Sequence, residues 1–298
     1  SLGVTVYVNG SKGNASTGDF SAAAVNAAVD KALSIAKFTN ADPHAGLADA
    51  SAMATDIPEL DLYHPWALEA DAAIAIAKRC EDAGFAVDAR IDNSEGASVS
   101  VSESEFTYAN SHGFAGGYKG SAHYIGCAMV ASDGDAMERD DWYTSHRVPG
   151  ELEAAESVGK KAGERAVARL NPRKLATQSA PVVFTPSVAG GFIGHAIGAL
   201  FGGSLYRKTT FLLDSMGQHK FASLLNIVDD PFILRSYASS PFDGEGVACQ
   251  RRAIVENGVV RGYFLSTYSA RKLGLQSTGN AGGNHNLLIA PTIKGDTA

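Results

Sequence analysis

The sequence predicts an α+β protein of two domains. Three observations carry this: helical periodicity flanks a central run of strand-like sequence, the two do not alternate as in βαβ units, and a late Asn-Gly pair joins two further strand-like runs. The chain has 298 residues, enough for two domains with a substantial core. Hydrophobic residues make up 45% and charged residues 19%, which excludes a disordered chain.

In chain order, residues 2–9 alternate β-branched positions (Val4, Val6, Val8) and predict a strand. Asp19 is the expected N-cap of a helix reaching about Phe38, with Val25, Ala28, Val29, Ala32 and Ala36 on one face. A second helix is expected from Pro65, tolerated at the first helical position, to Gly84, presenting Leu68, Ala72, Ile76, Cys80 and Ala83. Residues 87–142 predict a meander of four or five strands, with turn signals at 93–96, 112–117 and 133–135. His112 reads as a turn residue there. A third helix follows, with Glu151, Glu153 and Glu156 at its start and Lys160, Lys161, Arg165 and Arg169 toward its end, a polarity that complements the helix dipole.

Residues 172–179 form a polar connector, the expected boundary between an N-terminal/central α+β domain (1–175) and a β-rich C-terminal domain (179–298). The second domain should hold a buried strand at 181–184, a buried Gly-rich helix around His195, and a hairpin (247–256 and 259–268) turning at Asn257-Gly258. Residues 188–203 are nearly uncharged, but 16 residues with a histidine fall short of the roughly 20 a membrane span needs.

Net charge is −7 and the pI about 5.6. The densest basic stretch, Lys160 to Arg169, is spread along one helix, which argues against a dedicated nucleic-acid binder. The three cysteines are far apart and form no C-x-x-C pair, consistent with a reducing, cytoplasmic location. The eight histidines show neither H-E-x-x-H nor helical ligand spacing, and no nucleophile elbow, Walker A loop or dinucleotide fingerprint is present.

Longer segments are more specific. Met137-Glu138-Arg139-Asp140, Tyr206-Arg207-Lys208 leading to Phe211-Leu212-Leu213-Asp214, and Ser240-Pro241-Phe242-Asp243-Gly244-Glu245-Gly246 resemble the TldD/PmbA (modulator of DNA gyrase) peptidase family, on its PmbA/TldE branch. So do Tyr268-Ser269-Ala270-Arg271-Lys272-Leu273-Gly274 and Ser277-Thr278-Gly279-Asn280-Ala281-Gly282-Gly283, and the order of the segments spans almost the whole chain. The resemblance implies a heteromeric, zinc-dependent protease acting on small proteins and peptides, and further chain on both sides of this sequence.

In the TldD branch a helix carries H-E-x-x-x-H, whose two histidines hold zinc while the glutamate handles protons. The matching segment here is Gly194-His195-Ala196-Ile197-Gly198-Ala199, so Gly194 and Ala199 stand where ligands would be and His195 where the glutamate would be. Glycine and alanine donate no ligand, and a catalytic zinc uses about three protein ligands. The resemblance puts the third ligand, a cysteine, past the end of this sequence. No metal or other cofactor is therefore expected in this chain, and zinc is expected in a TldD-like partner. His195 has two readings: a histidine bonded to backbone or facing a cleft, or a ligand surviving into a shared site.

Asp243 and Glu245 would share a strand face as an acid/base or peptide-amine-binding pair. Alternatively, Asp243 caps its own turn and Glu245 pairs with Arg251 or Arg252. Thr278, Gly279 and Asn280 could bring backbone close to a ligand or form a tight turn only; Tyr268 and Arg271 are weaker candidates for the same cleft wall. Three functions follow: a non-catalytic PmbA/TldE-like subunit pairing with a TldD-like metalloprotease, a homo-oligomeric (dimeric) peptide-binding or regulatory protein of gyrase-modulator type, or a metal-independent hydrolase using Asp243 or Glu245. None calls for direct nucleic-acid or membrane binding.

Overall fold

Alternation of exposed and inward residues opens the chain as a hairpin. β1 (Leu2–Val8) pairs antiparallel with β2 (Ser11–Thr17), a strand the sequence did not announce, through Asn9 and Gly10 at φ 50° and 81°. The computed structural model describes residues 1–289. Helix α1 (Ala22–Phe38) packs on the hairpin through Ala28, Ala32 and Ala36. The approach is so close that a Cβ at Gly13 would lie 1.9 Å from the Ala32 carbonyl oxygen. Its N-cap is Ser21, not Asp19: Ser21 Oγ accepts from Ala24 N, and Asp19 accepts from Ser21 N and Oγ instead.

α2 (Ala70–Phe85) begins five residues later than Pro65 predicts. The preceding stretch is drawn out along the central sheet, where His123 Nε2 bonds the His64 carbonyl and Trp66 stacks edge-on against His123. β3 (Ile91–Ala109), β4 (Ala115–Asp133) and β5 (Ala136–His146) form one antiparallel sheet in that order. Three long strands thus replace the four or five expected. The 93–96 signal is a bulge inside β3, with Gly96 at φ 100°, because β4 continues past it and keeps the pairing. The reversal at 110–114 contains His112, whose N–H bonds Asn110 Oδ1.

α3 (Ala155–Arg169) lies against this sheet and against α2. It starts after Glu151 and Glu153, since a 3-10 turn at Pro149–Glu151 and a bond from Glu153 N to Thr144 Oγ1 hold those residues outside the helix. Cys80, Ile125, Cys127, Met129, Val158 and Ala162 are the centre of this core.

Beyond it the chain is less regular. Residues 181–184 are exposed and not a strand, Val183 at 93%, because no described strand lies alongside to pair with them. α4 (Pro186–Gly198) carries the Gly-rich segment, but only Ile197 within it is buried. The expected buried helix is a surface helix here, because its small-residue face meets no other described element: a Cβ at Gly190, Gly191, Gly194 or Gly198 would touch nothing within 4 Å. α5 (Gly202–Tyr206) follows, then β6 (Ile227–Asp230), β7 (Arg252–Glu256), β8 (Val259–Val260), α6 (Thr267–Leu273) and β9 (Asn286–Ile289).

The four strands make a small antiparallel sheet in the order β8-β7-β6-β9, set among loops and three helices. The Asn257-Gly258 turn is present, at φ 48° and 77°, but its strands are shorter than expected. Val247 leaves to bridge Met53, and Thr267 and Tyr268 enter α6. Ile197, Leu200, Ile227, Ile254 and Phe264 belong to this second core. A third, with Met53, Phe114, Phe242 and Val247, draws on both halves of the chain. Among the described residues no helix is long and apolar enough to cross a membrane.

Candidate functional site

α4 supplies little chemistry of its own. His195 is exposed and its side chain makes no hydrogen bond among the described residues. Gly194 is exposed in mid-helix, whereas Ala199 is the C-cap residue, 7% exposed. One imidazole without a second donor does not fit a zinc ion. Among the described residues no group of three His, Cys, Asp or Glu side chains could hold a metal.

The dense polar chemistry lies elsewhere, between β6, β7 and the 279–285 loop. Asp229 on β6 has no exposed surface. Its Oδ1 accepts from His285 N at 2.7 Å, and its Oδ2 accepts from His285 Nδ1 at 3.0 Å and Asn280 Nδ2 at 3.1 Å. A proton on Nδ1 leaves Nε2 as the acceptor for the Cys249 thiol, 3.3 Å away. On the other side Asn280 Oδ1 accepts from Arg252 at 2.7 Å, so an amide stands between the guanidinium and the carboxylate.

Burial pushes the Cys249 thiol up, and the carboxylates of Asp243 and Asp229 add to the effect. The same dry surroundings lower Arg252. Such a thiol is a poor nucleophile at neutral pH despite its Cys–His–Asp geometry.

Asp243 is 4% exposed and caps a turn: Oδ1 accepts from Glu245 N and Val247 N, Oδ2 from Ala281 N, each at 2.9 Å. Burial raises its pKa, and those three backbone donors oppose the rise. Glu245 accepts from Thr267 N at the start of α6. It pairs with neither Arg251, which holds Asp230, nor Arg252. The two carboxylates are thus engaged in turn and helix capping, away from any shared strand face.

Three cavities surround this cluster, and the sequence-predicted residues divide among them. Arg271 and Thr278 line the largest, about 620 Å³, together with Arg252 and Thr267. Tyr268 and Asn280 line a second of about 410 Å³ with Phe201 and Gly283. Asp243 lines a third of about 330 Å³, where His285 joins it. Gly279, at φ 69°, packs so closely on the Ala248 carbonyl that an added Cβ would lie 2.5 Å from it. Its role is close backbone contact within the fold. Tyr268 Oη donates to Asp42 at 2.7 Å, tying α6 to the N-terminal half.

Sequence reasoning missed Asp229, Cys249, Arg252 as a cavity residue, and His285. Their separations in sequence give no local spacing to detect. The only signals are the Asp229-Asp230-Pro231 run and a histidine flanked by two asparagines.

Sequence comparison decides the family. Residues 63–170 match the PmbA/TldA metallopeptidase central domain, and residues 177–297 match the PmbA/TldA metallopeptidase C-terminal domain. The chain belongs to the PmbA/TldD family. Within that family it is 46% identical over 289 residues to the metalloprotease PmbA of Escherichia coli, covering 97% of this chain and 64% of that protein. A PmbA homologue of Haemophilus influenzae is 44% identical over 294 residues, covering 99% and 65%. The chain thus spans about two thirds of the length of these PmbA relatives. A crystal structure from Bacteroides thetaiotaomicron, described as a candidate modulator of DNA gyrase, superposes with TM-score 0.90 at 27% identity, over 97% of this chain and 66% of that one. The TldE structure from Thermococcus kodakarensis shares the fold at TM-score 0.78 and 21% identity, over 96% and 66%.

Proposed function

We propose that this chain is the PmbA/TldE-like, non-catalytic subunit of a zinc-dependent protease for small proteins and peptides, paired with a TldD-like subunit that holds the metal. What supports the reading is α4: the resemblance sets this helix against the H-E-x-x-x-H helix of the TldD branch, and it carries Gly194 and Ala199, which donate no ligand. A zinc-bound water reaches a pKa near 7 only with the metal firmly held, so bond cleavage falls to the partner. Exposed Val182, Val183, Phe184, Val188 and Phe192 on and before this helix support a covering partner. Three free, buried cysteines support a cytoplasmic location.

The decisive experiment mixes this chain with its TldD-like relative and follows cleavage of an unfolded peptide. Activity only in the mixture, abolished by chelation, is the expected result, with substoichiometric zinc in the isolated chain. Cleavage by the isolated chain after exhaustive chelation would overturn the reading. A mixture that neither associates nor cleaves, with this chain self-associating, would favour the homo-oligomeric regulatory alternative, which the same exposed face also fits.

A further inference from the structure

Arg252 is an uncommon kind of arginine. It is largely removed from solvent, and among the described residues no carboxylate lies within ion-pair distance of it. One terminal nitrogen, Nη2, is spent on the Tyr263 carbonyl at 3.2 Å and on Asn280 Oδ1 at 2.7 Å, and its Nε has no acceptor. Thr267, 5% exposed, leaves its Oγ1 without a partner as well. Both residues line the 620 Å³ cavity. Buried donors are ordinarily satisfied, and a desolvated guanidinium ordinarily has an anion.

A second arginine borders the same space. Arg271 is held by the Leu47 carbonyl at 2.8 Å and by Asp49 at 3.0 Å. The Asp49 side chain is 80% exposed, so this pair is screened by water and easily exchanged for another carboxylate. Asp49 lines the cavity too, so its charged side chains are two arginines and one carboxylate, a net positive lining in a chain of net charge −7. The rest of its lining is mixed: Met53, Val247 and Ala270 are apolar, while Gln250 and Gln276 offer amide groups. A guanidinium pair, amide-bonding groups and a small apolar floor together match a short peptide bearing a negative charge.

We propose that this cavity binds the carboxylate of a peptide, with Arg252 and Arg271 as its anchors. The carboxylate comes from a peptide C-terminus or from an acidic side chain. The proposal rests on the reading that this chain helps to hold peptides. It adds which chemical group is held, and where.

Calorimetric titration of this chain with four probes tests it: N-acetyl-trialanine as the free acid, the same peptide as its C-terminal amide, an amide peptide of equal length carrying one glutamate, and sodium acetate. The expected result is that the free acid, the glutamate peptide or both bind about tenfold or more tighter than the plain amide, consistent with a charge-assisted contact to a desolvated arginine. The preference should weaken with added salt. Arg252→Gln and Arg271→Gln should each abolish it with the circular dichroism spectrum unchanged. Should Arg252→Gln disturb the fold, Arg271→Gln and Thr267→Val carry the same readout. Equal affinity for acid and amide, acetate binding as tightly as the peptides, or variants that keep the preference would each overturn the proposal, as would no binding of any probe. Binding is read without a metal-bearing partner, so this outcome and that of the reconstituted protease assay are independent.

Discussion

Asp229 takes three hydrogen bonds with no contact to water. Asp229→Ala would leave the donors of His285 and Asn280 unpaired in a dry interior, at a cost of about 3–5 kcal/mol. Urea denaturation monitored by circular dichroism measures this, and a loss under about 1 kcal/mol would show that the network is not built as described. Cys249 gives a kinetic counterpart. With its thiol buried, bonded to His285 and raised in pKa, it should resist iodoacetamide in the native protein and react fully in denaturant, as read by peptide mass mapping. Rapid native labelling of Cys249 would contradict its burial within this network. Asp42 titrates in the opposite direction to Asp243. Bonds from His44 N, Tyr268 and Lys272 hold it down to about 2. A carboxylate lowered on folding stabilises above its ordinary pKa near 4 and loses that contribution as pH falls toward 2. Between those limits the melting temperature should fall less steeply in Asp42→Asn than in the parent, and equal slopes would contradict the pairing. None of these partnerships was readable from sequence, because Asp229, Cys249 and His285, like Asp42 and Tyr268, meet only through tertiary structure. The Asp243 turn was readable, since an aspartate capping the backbone two residues ahead is a local event.

Glycine has opposite meanings in two of the helices. In α3, a Cβ at Gly159 would lie 1.7 Å from the Cys80 carbonyl oxygen of α2, so the helices touch backbone to backbone. Gly159→Ala should force them apart and cost about 3 kcal/mol, at the upper end of overpacking effects. In α4, Gly190 has nothing within 4 Å. There Gly190→Ala should stabilise by about 0.5–1 kcal/mol through helix propensity alone. Chemical denaturation of the two variants side by side checks both signs. If Gly190→Ala is instead neutral in the isolated chain but weakens association with the proposed TldD-like partner, α4 is packed in that complex. Periodicity located α1, α2 and α3 because a helix face is a local pattern. It misplaced their starts: Asp19 and Ser21 are equally good caps on paper, and Glu151 and Glu153 are held outside α3 by a turn and by Thr144. Long strands were harder still, since a bulge and a true reversal share the same glycine and asparagine signals.

At the scale of the molecule, the two halves are joined by contacts that neither makes alone. Arg147 donates to the Ser236 and Tyr237 carbonyls, Arg235 pairs with Asp61 and Glu151, and Met53 bridges Val247. The apolar centre of this junction is Phe242, 1% exposed, with ring centroids 5.3 Å from Phe114, 5.7 Å from Tyr118 and 6.1 Å from Phe106. Removing that ring should cost about 3–5 kcal/mol, because the surrounding aromatic side chains close the space only in part. The loss falls on the contact between the halves, whose own cores remain intact, so cooperativity should suffer along with stability. Both tryptophans, Trp66 and Trp142, lie in the N-terminal half, so their fluorescence follows that half alone while far-UV circular dichroism follows both. In the parent chain the two urea curves should coincide. In Phe242→Ala they should separate, the circular dichroism curve broadening around a fluorescence transition that stays sharp. Coincident curves at a uniformly lower midpoint would mean that the halves fold as one unit even without this ring, and that the polar contacts from Arg147 and Arg235 suffice to couple them.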